Sequence, residues 1–168
     1  TITPQPRHGN PPPRLFETPS GLLNSIGLEN QGVEAFLNEV VPELGSEGIP
    51  IVANVGGESV DEFCQMVEAF GDLDCFQALE LNLSCPNVGG GRLPFSTCEK
   101  AVHEVLDACR SLTKKPLWAK LSPNVTRIAP MAIAAEKAGA DALTVGNTVL
   151  GLAVNWRTRK PELGVGYG

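Results

Sequence analysis

Four apolar runs in this sequence carry a polar residue at or just past their ends, where a purely structural core would want none. IVANV (51–55) carries Asn54, ALELNL (78–83) carries Asn82, LWAKL (117–121) carries Lys120, and ALTV (142–145) is followed by Gly146, Asn147 and Thr148. The second run continues as SCPNVGGG, which sets Cys85 beside Pro86 and Asn87 and ahead of three glycines. A buried cysteine behaves as a small hydrophobe, but one that leaves a strand into a proline and glycine loop reads as a chemical group. The two histidines of the chain are His8 and His103, the latter within a helical stretch, so neither stands near Cys85 in sequence. Without such a partner an acylating thiolate is poorly supported, and Cys85 is better suited to moving a single proton. Lys120, in a run apolar on both sides, needs an anion or a strong acceptor to keep its charge. A Schiff base, a flavin or a phosphate would each explain it. Asn24, Asn54, Asn82, Asn87 and Asn147 all lie outside helical stretches, and each offers donors and an acceptor without net charge. As a set they suit a planar, amide-rich ligand such as a pyrimidine or an isoalloxazine ring. Gly89, Gly90 and Gly91 read either as a segment that covers a site and excludes water or as a link to the next helix.

The elements that position these residues follow a repeating order. The spacing of Val33, Phe36, Leu37, Val40, Val41 and Leu44 predicts a helix over 31–44, with Pro42 awkward in its last turn. Ser59 followed by Glu62 is a capping-box start for a helix whose stripe is Val60, Phe63, Val67 and Phe70. Thr97 is the expected cap of a third helix, running to Leu112, and residues 126–138 form a fourth that stops at Gly139, the position for a left-handed C-terminal residue. Between the helices stand strands at 51–55, 78–83, 117–121 and 142–145, while residues 14–28 show no clean period. Helix and strand alternating, with apolar strands free of proline, mean βα units on a parallel sheet. None of the segments after the strands fits the glycine fingerprint of a dinucleotide fold. Polar strand ends converging on one mouth fit a (β/α)₈ barrel. Such a barrel needs roughly 250 residues. This chain has 168, opens on Thr1 and stops at Tyr167-Gly168, so residues 1–168 read as one partial barrel domain, about the first half to two-thirds, with both ends cut.

Composition narrows the classes. Hydrophobic residues make up 42%, enough for one core, and the net charge of −6 comes without a block of like charges, which disfavours nucleic acid and anionic membranes as partners. No apolar stretch is long enough to span a bilayer. The five cysteines, an odd number without a CxxC pair, exclude a complete disulfide framework and point to a reducing, cytoplasmic setting; no metal site is assigned. Cys64, Cys75, Cys98 and Cys109 read as small buried hydrophobes.

NSIGL (24–28), VANV (52–55), NLSCPN (82–87), the glycine loop, AKLSPN (119–124) and GNT (146–148) closely resemble the class 1 dihydroorotate dehydrogenases, in the right order and across nearly the whole chain. The resemblance implies an α/β fold, the (β/α)₈ or TIM barrel, that binds FMN and oxidises (S)-dihydroorotate to orotate in pyrimidine biosynthesis. It implies that Cys85 is the base for the C5 proton, where class 2 enzymes have serine. It implies a substrate cradle of Asn24, Ser25, Ile26, Gly27, Leu28, Asn82, Asn87, Asn147 and Thr148. Flavin contacts map onto Asn54, Asn82, Lys120 and Gly146, with Lys120 near the N1/O2 edge of the ring. The run HGNPPPRLFETPSGLLNSIGLENQGV and the stretch GGGRLPFST are similar to the class 1B catalytic subunit. That class pairs a homodimer of catalytic subunits with a partner carrying FAD and a 2Fe-2S cluster and reduces NAD.

Gly146 departs from the aliphatic residue usual in the family, although the contact there is through backbone. The family's first-strand serine and lysine would precede Thr1 and its phosphate grip would follow Gly168, so the isolated stretch is expected to be inactive. The alternatives are a fumarate-linked class 1A enzyme, a dihydropyrimidine dehydrogenase-like enzyme, in which His usually replaces Asn87, and a non-catalytic barrel remnant with a structural role.

Overall fold

The computed structural model of the chain describes residues 1–44, 48–84 and 94–168. Residues 14–28, which lack a clean period in sequence, form a hairpin: β1 (Leu15–Thr18) pairs antiparallel with β2 (Gly21–Asn24), Leu15 opposite Asn24 and Thr18 opposite Gly21. Its two-residue turn is Pro19-Ser20, tied by a hydrogen bond from Thr18 Oγ1 to the carbonyl of Gly21 at 2.9 Å. The helix over 31–44 is present but not uniform. α1 (Gly32–Ala35) widens into a π turn, Phe36–Val40, before α2 (Val41–Leu44). Pro42 has no N–H to offer the carbonyl of Asn38, and the amide of Val41 reaches five residues back to Phe36.

β3 (Val52–Val55) is followed by α3 (Val60–Gly71). Ser59 Oγ accepts the amide of Glu62 at 3.1 Å, while the Glu62 carboxylate accepts the amide of Glu58, not that of Ser59, at 2.6 Å. One of the helix's unpaired N-terminal amides, that of Glu62, and the amide of Glu58 just before the cap are thereby satisfied. Replacing Ser59 by alanine is expected to cost about 1 kcal/mol, read as a lower denaturation midpoint with an unchanged slope.

β4 (Ala78–Asn82) leads, beyond the undescribed residues, to a 3₁₀ turn, Phe95–Thr97, and then α4 (Glu99–Arg110). The cap of α4 is Cys98, not Thr97, whose hydroxyl is spent within the turn on the carbonyl of Pro94 at 2.8 Å. β5 (Leu117–Leu121) precedes α5 (Ala129–Lys137), which starts later than position 126 because Pro130 is tolerated only in a first turn. Gly139 follows with φ +92°, the left-handed stop that its sequence position predicts. After β6 (Ala142–Val145) comes a second small hairpin absent from the sequence reading, β7 (Val154–Asn155) with β8 (Lys160–Pro161).

β3, β4, β5 and β6 form one parallel sheet in that order, in the register Asn54–Glu80, Asn82–Lys120 and Lys120–Thr144. Neighbouring strands joined by helices in sequence order make an arc of the (β/α)₈ architecture, about half of it. Alternation along the strands separates two faces. Val55, Leu79, Leu81, Leu117, Ala119 and Leu121 are buried in one core with Phe63 and Phe70 of α3, Leu106 of α4 and Ala135 of α5. Phe36, Phe70 and Phe76 stack at its edge, with centroids 5.5–6.4 Å apart. Cys109 is part of this core, and burial together with neighbouring Cys64 pushes its thiol far up, so it is inert as a nucleophile. Cys64 and Cys75 are half-buried, but Cys98 is exposed at the start of α4, which corrects its reading as a buried hydrophobe. The opposite parity carries Asn54, Glu80, Asn82, Lys120 and Thr144, the face that lines the inside of a barrel.

Candidate functional site

Because the four strands are parallel, their C-terminal ends lie on one edge, and the inward side chains there meet. The Glu80 carboxylate accepts Asn54 Nδ2 at 2.5 Å through one oxygen and the Thr144 hydroxyl through the other. Asn54 Oδ1 accepts the hydroxyl of Thr1, which in turn accepts Asn82 Nδ2 at 3.0 Å. Asn82 Oδ1 accepts the Ser84 hydroxyl at 2.7 Å, and Ser84 Oγ accepts Asn147 Nδ2 at 2.6 Å. Asn147 Oδ1 receives the amide of Thr148 at 2.7 Å. A single hydrogen-bonded chain thus joins β3, β4 and the segment after β6. Asn82 and Ser84 are buried within it, as the cost of leaving such groups unpaired requires.

Lys120 stands in register with Asn82 on one side and Thr144 on the other. It is half-buried, and its ammonium has no hydrogen bond or ion pair among the described residues. Gly146 packs its backbone against Pro123, where an added Cβ would lie 3.3 Å from the proline ring. Asn124 anchors the following segment: its Nδ2 donates to the carbonyl of Thr148 at 3.0 Å, and its Oδ1 accepts the amide of Leu150 at 2.9 Å.

The segment Asn24–Leu28 leaves β2 and is strapped by Asn10, whose amide donates to the carbonyl of Ile26 and whose Nδ2 donates to that of Ser25, both at 3.0 Å. Gly27 has φ +77°, and a Cβ there would come within 2.8 Å of Asn10, so only glycine fits. Leu28 is also left-handed, with φ +56°, and its side chain reaches Gly56 at the end of β3. Ser25 is fully buried, and its hydroxyl has no partner among the described residues. The structure thus brings Asn54, Asn82, Asn147 and Thr148 into one network and sets Lys120 and Gly146 beside it. It brings Asn24–Leu28 to the rim through Leu28, without a hydrogen bond into the network among the described residues. Cys85 and Asn87 lie outside the described residues.

Sequence reasoning missed Glu80, Ser84, Thr144 and Asn124. For Glu80 the sequence signal is its parity with Asn82 between Leu79, Leu81 and Leu83, a pattern that an ordinary solvent-facing strand position shares. A cleft of about 500 Å³ lies between the N-terminal segment and the start of α3, lined in part by His8, Gly27, Leu28 and the 2.6 Å Arg7–Glu58 ion pair. It includes none of Asn54, Glu80, Asn82 or Lys120. The strand ends, where polar groups converge, are therefore the better candidate.

The family model described as Dihydroorotate dehydrogenase matches residues 1–168, the entire chain. The chain belongs to the dihydroorotate dehydrogenase family. Among curated relatives, the protein named dihydroorotate dehydrogenase B (NAD(+)), catalytic subunit, of Listeria innocua is 45% identical over 167 residues, covering 99% of this chain and 55% of its own length. Proteins of the same name from Bacteroides fragilis and Desulforudis audaxviator are 46% and 42% identical, covering 94% and 100% of this chain but 52% and 55% of their own lengths. The chain thus spans about half the length of the dihydroorotate dehydrogenases it matches. Within the dihydroorotate dehydrogenase family the strand-end chemistry is intelligible. Amide donors and a cation without a partner among the described residues converge on the inward strand ends, chemistry that suits a planar ligand rich in acceptors. Among the described residues no helix is long and apolar enough to cross a membrane.

Proposed function

We propose that the protein to which this chain belongs oxidises (S)-dihydroorotate to orotate as a cytoplasmic, NAD-linked enzyme of pyrimidine biosynthesis. The observation that carries the reading is the asparagine network at the strand ends, with the Lys120 ammonium beside it. Asn82 and Asn147, with Asn24–Leu28, Asn87 and Thr148, cradle the planar substrate and its carboxylate, while Asn54, Lys120 and Gly146 face the cofactor. Cys85 takes the proton from C5 as general base. FMN, when bound, supplies the acceptor for the hydrogen and electron pair that leave C6. Lys120 offsets the negative charge that reduction places on the ring, a preorganised electrostatic role. The electrons pass to NAD through a partner subunit carrying FAD and a 2Fe-2S cluster, joined to a homodimer of catalytic subunits. The names of the relatives support NAD over fumarate as acceptor.

The test is to purify the full-length gene product with its partner subunit and titrate it with orotate while recording the visible spectrum. Flavin bands that shift on saturation, and NAD reduction driven by dihydroorotate, are expected. A colourless protein, or flavin bands indifferent to orotate, would overturn the reading.

A further inference from the structure

We infer that Glu80 is a positioning residue that fixes which way Asn54 presents its amide to the site. The inference rests on the dihydroorotate dehydrogenase reading above. An asparagine side chain is nearly symmetric in shape, so its oxygen and nitrogen can exchange places unless a neighbour forbids it. In the strand-end network every bond runs the same way. Asn147 Nδ2 donates to Ser84, Ser84 to Asn82 Oδ1, Asn82 Nδ2 to Thr1, Thr1 to Asn54 Oδ1, and Asn54 Nδ2 to Glu80. Threonine and serine hydroxyls donate one bond each and accept others, so they pass a direction along but cannot choose it. An amide, with both a donor and an acceptor end, likewise transmits either sense. The only member that can accept and not donate is the Glu80 carboxylate. It terminates the chain and, because it can only accept, it holds Asn54 with its nitrogen toward Glu80. Asn82 and Asn147 are held separately, since the backbone amides of Ser84 and Thr148, which can only donate, reach their oxygens at 3.4 and 2.7 Å.

The consequence for a ligand is specific. With this polarity each amide nitrogen spends one hydrogen inside the chain, leaving a second N–H on Asn54, Asn82 and Asn147 with no partner among the described residues. A site so oriented offers donors, and it selects a planar ligand by its carbonyl and carboxylate oxygens. Reversing Asn54 would turn its amide oxygen toward the same acceptors and set lone pair against lone pair. The second donor onto Glu80, the Thr144 hydroxyl, is not in the series and does not affect its direction.

Glu80→Gln keeps the shape of the side chain but adds an N–H at the terminus, which lets Asn54 reverse while Asn82 and Asn147 stay held by backbone amides. Thr144→Val removes the other bond to Glu80 and leaves its carboxylate, and hence the polarity, in place. In the full-length gene product, dissociation constants for FMN are read from flavin fluorescence on reconstitution, and those for orotate from the visible difference spectrum, with thermal midpoints of all variants alongside. E80Q is expected to bind FMN about tenfold or more weakly, with T144V within about threefold of wild type. E80Q binding FMN as tightly as wild type, or T144V losing as much affinity as E80Q, would overturn the inference and leave the dehydrogenase reading intact. A wild-type protein that binds neither ligand would overturn both.

Discussion

Replacing Cys85 by alanine in the full-length gene product is expected to slow dihydroorotate oxidation by about 10²–10⁴-fold, the usual worth of a positioned general base. Removing a proton from C5 while the electron pair departs from C6 requires a base held against one face of the substrate ring. The sequence offers one candidate directly after β4, the thiol of Cys85, which lies outside the described residues. Its neighbour Ser84 is fully buried and bonded to Asn82 at 2.7 Å, so the chain enters position 85 from a fixed point at the strand end. The two histidines offer no competing base, since His103 is exposed on the outer helix α4 and His8 lines the cleft beside α3. Orotate, whose remaining C5 hydrogen is vinylic and is not removed in the reaction, should bind the alanine variant nearly as well as wild type, because the amides proposed to hold it are untouched. The measurement is therefore a pair: kcat under saturating dihydroorotate, and the orotate dissociation constant. A large fall in kcat with orotate affinity retained supports proton removal by Cys85. Turnover within about threefold of wild type is far below the worth of a general base and would assign the proton to another group.

The parallel sheet was legible because strands covered on both faces are nearly pure apolar runs, and LWAKL or ALELNL admits few other readings. The helices between them were legible from stripes such as Val60, Phe63, Val67 and Phe70, of which the last three are fully buried. Hairpins were not. In β1 and β2 no residue is fully buried and Leu22 is 60% exposed, so no alternation of burial was available to write itself into the residue types. Asn54, Asn82, Lys120 and Asn147 stood out as polar residues interrupting or closing apolar runs. Glu80 did not, because one charged residue between leucines is also what an ordinary solvent-facing strand position looks like. Its role arises from Asn54 on one neighbouring strand and Thr144 two strands away, a relation that exists only once register is set. The same holds for the direction of the hydrogen-bonded series, which no residue type encodes by itself. The helix over 31–44 shows the reverse case: Pro42 announced a local conflict, and the structure resolved it by widening a turn instead of ending the helix.

Lys120→Met is expected to lower kcat by about 10²–10³-fold, the cost typical of removing one preorganised donor from developing charge, and to lower the two-electron reduction potential of the bound flavin. Methionine keeps the length and apolar stem of lysine, so the strand and its packing survive while the charge is lost. The ammonium lies on the inward face of β5 between Asn82 and Thr144, with no carboxylate bonded to it among the described residues. A half-buried cation in that state stabilises whatever negative charge approaches, more strongly than it would in water. The inward carboxylate of the neighbouring strand, Glu80, is engaged by Asn54 and Thr144, and no direct bond joins it to Lys120 among the described residues. Loss of Lys120 would leave Glu80 as the uncompensated charge of this face, which adds to the fall in potential. Arginine should not restore activity, since a planar guanidinium is larger and directs its donors differently from an ammonium. The potential separates this role from a structural one. Were Lys120 only a strand residue, the methionine variant would melt lower but hold flavin at the wild-type potential; were it the counter-charge, the potential would drop while the melting temperature stayed nearly level.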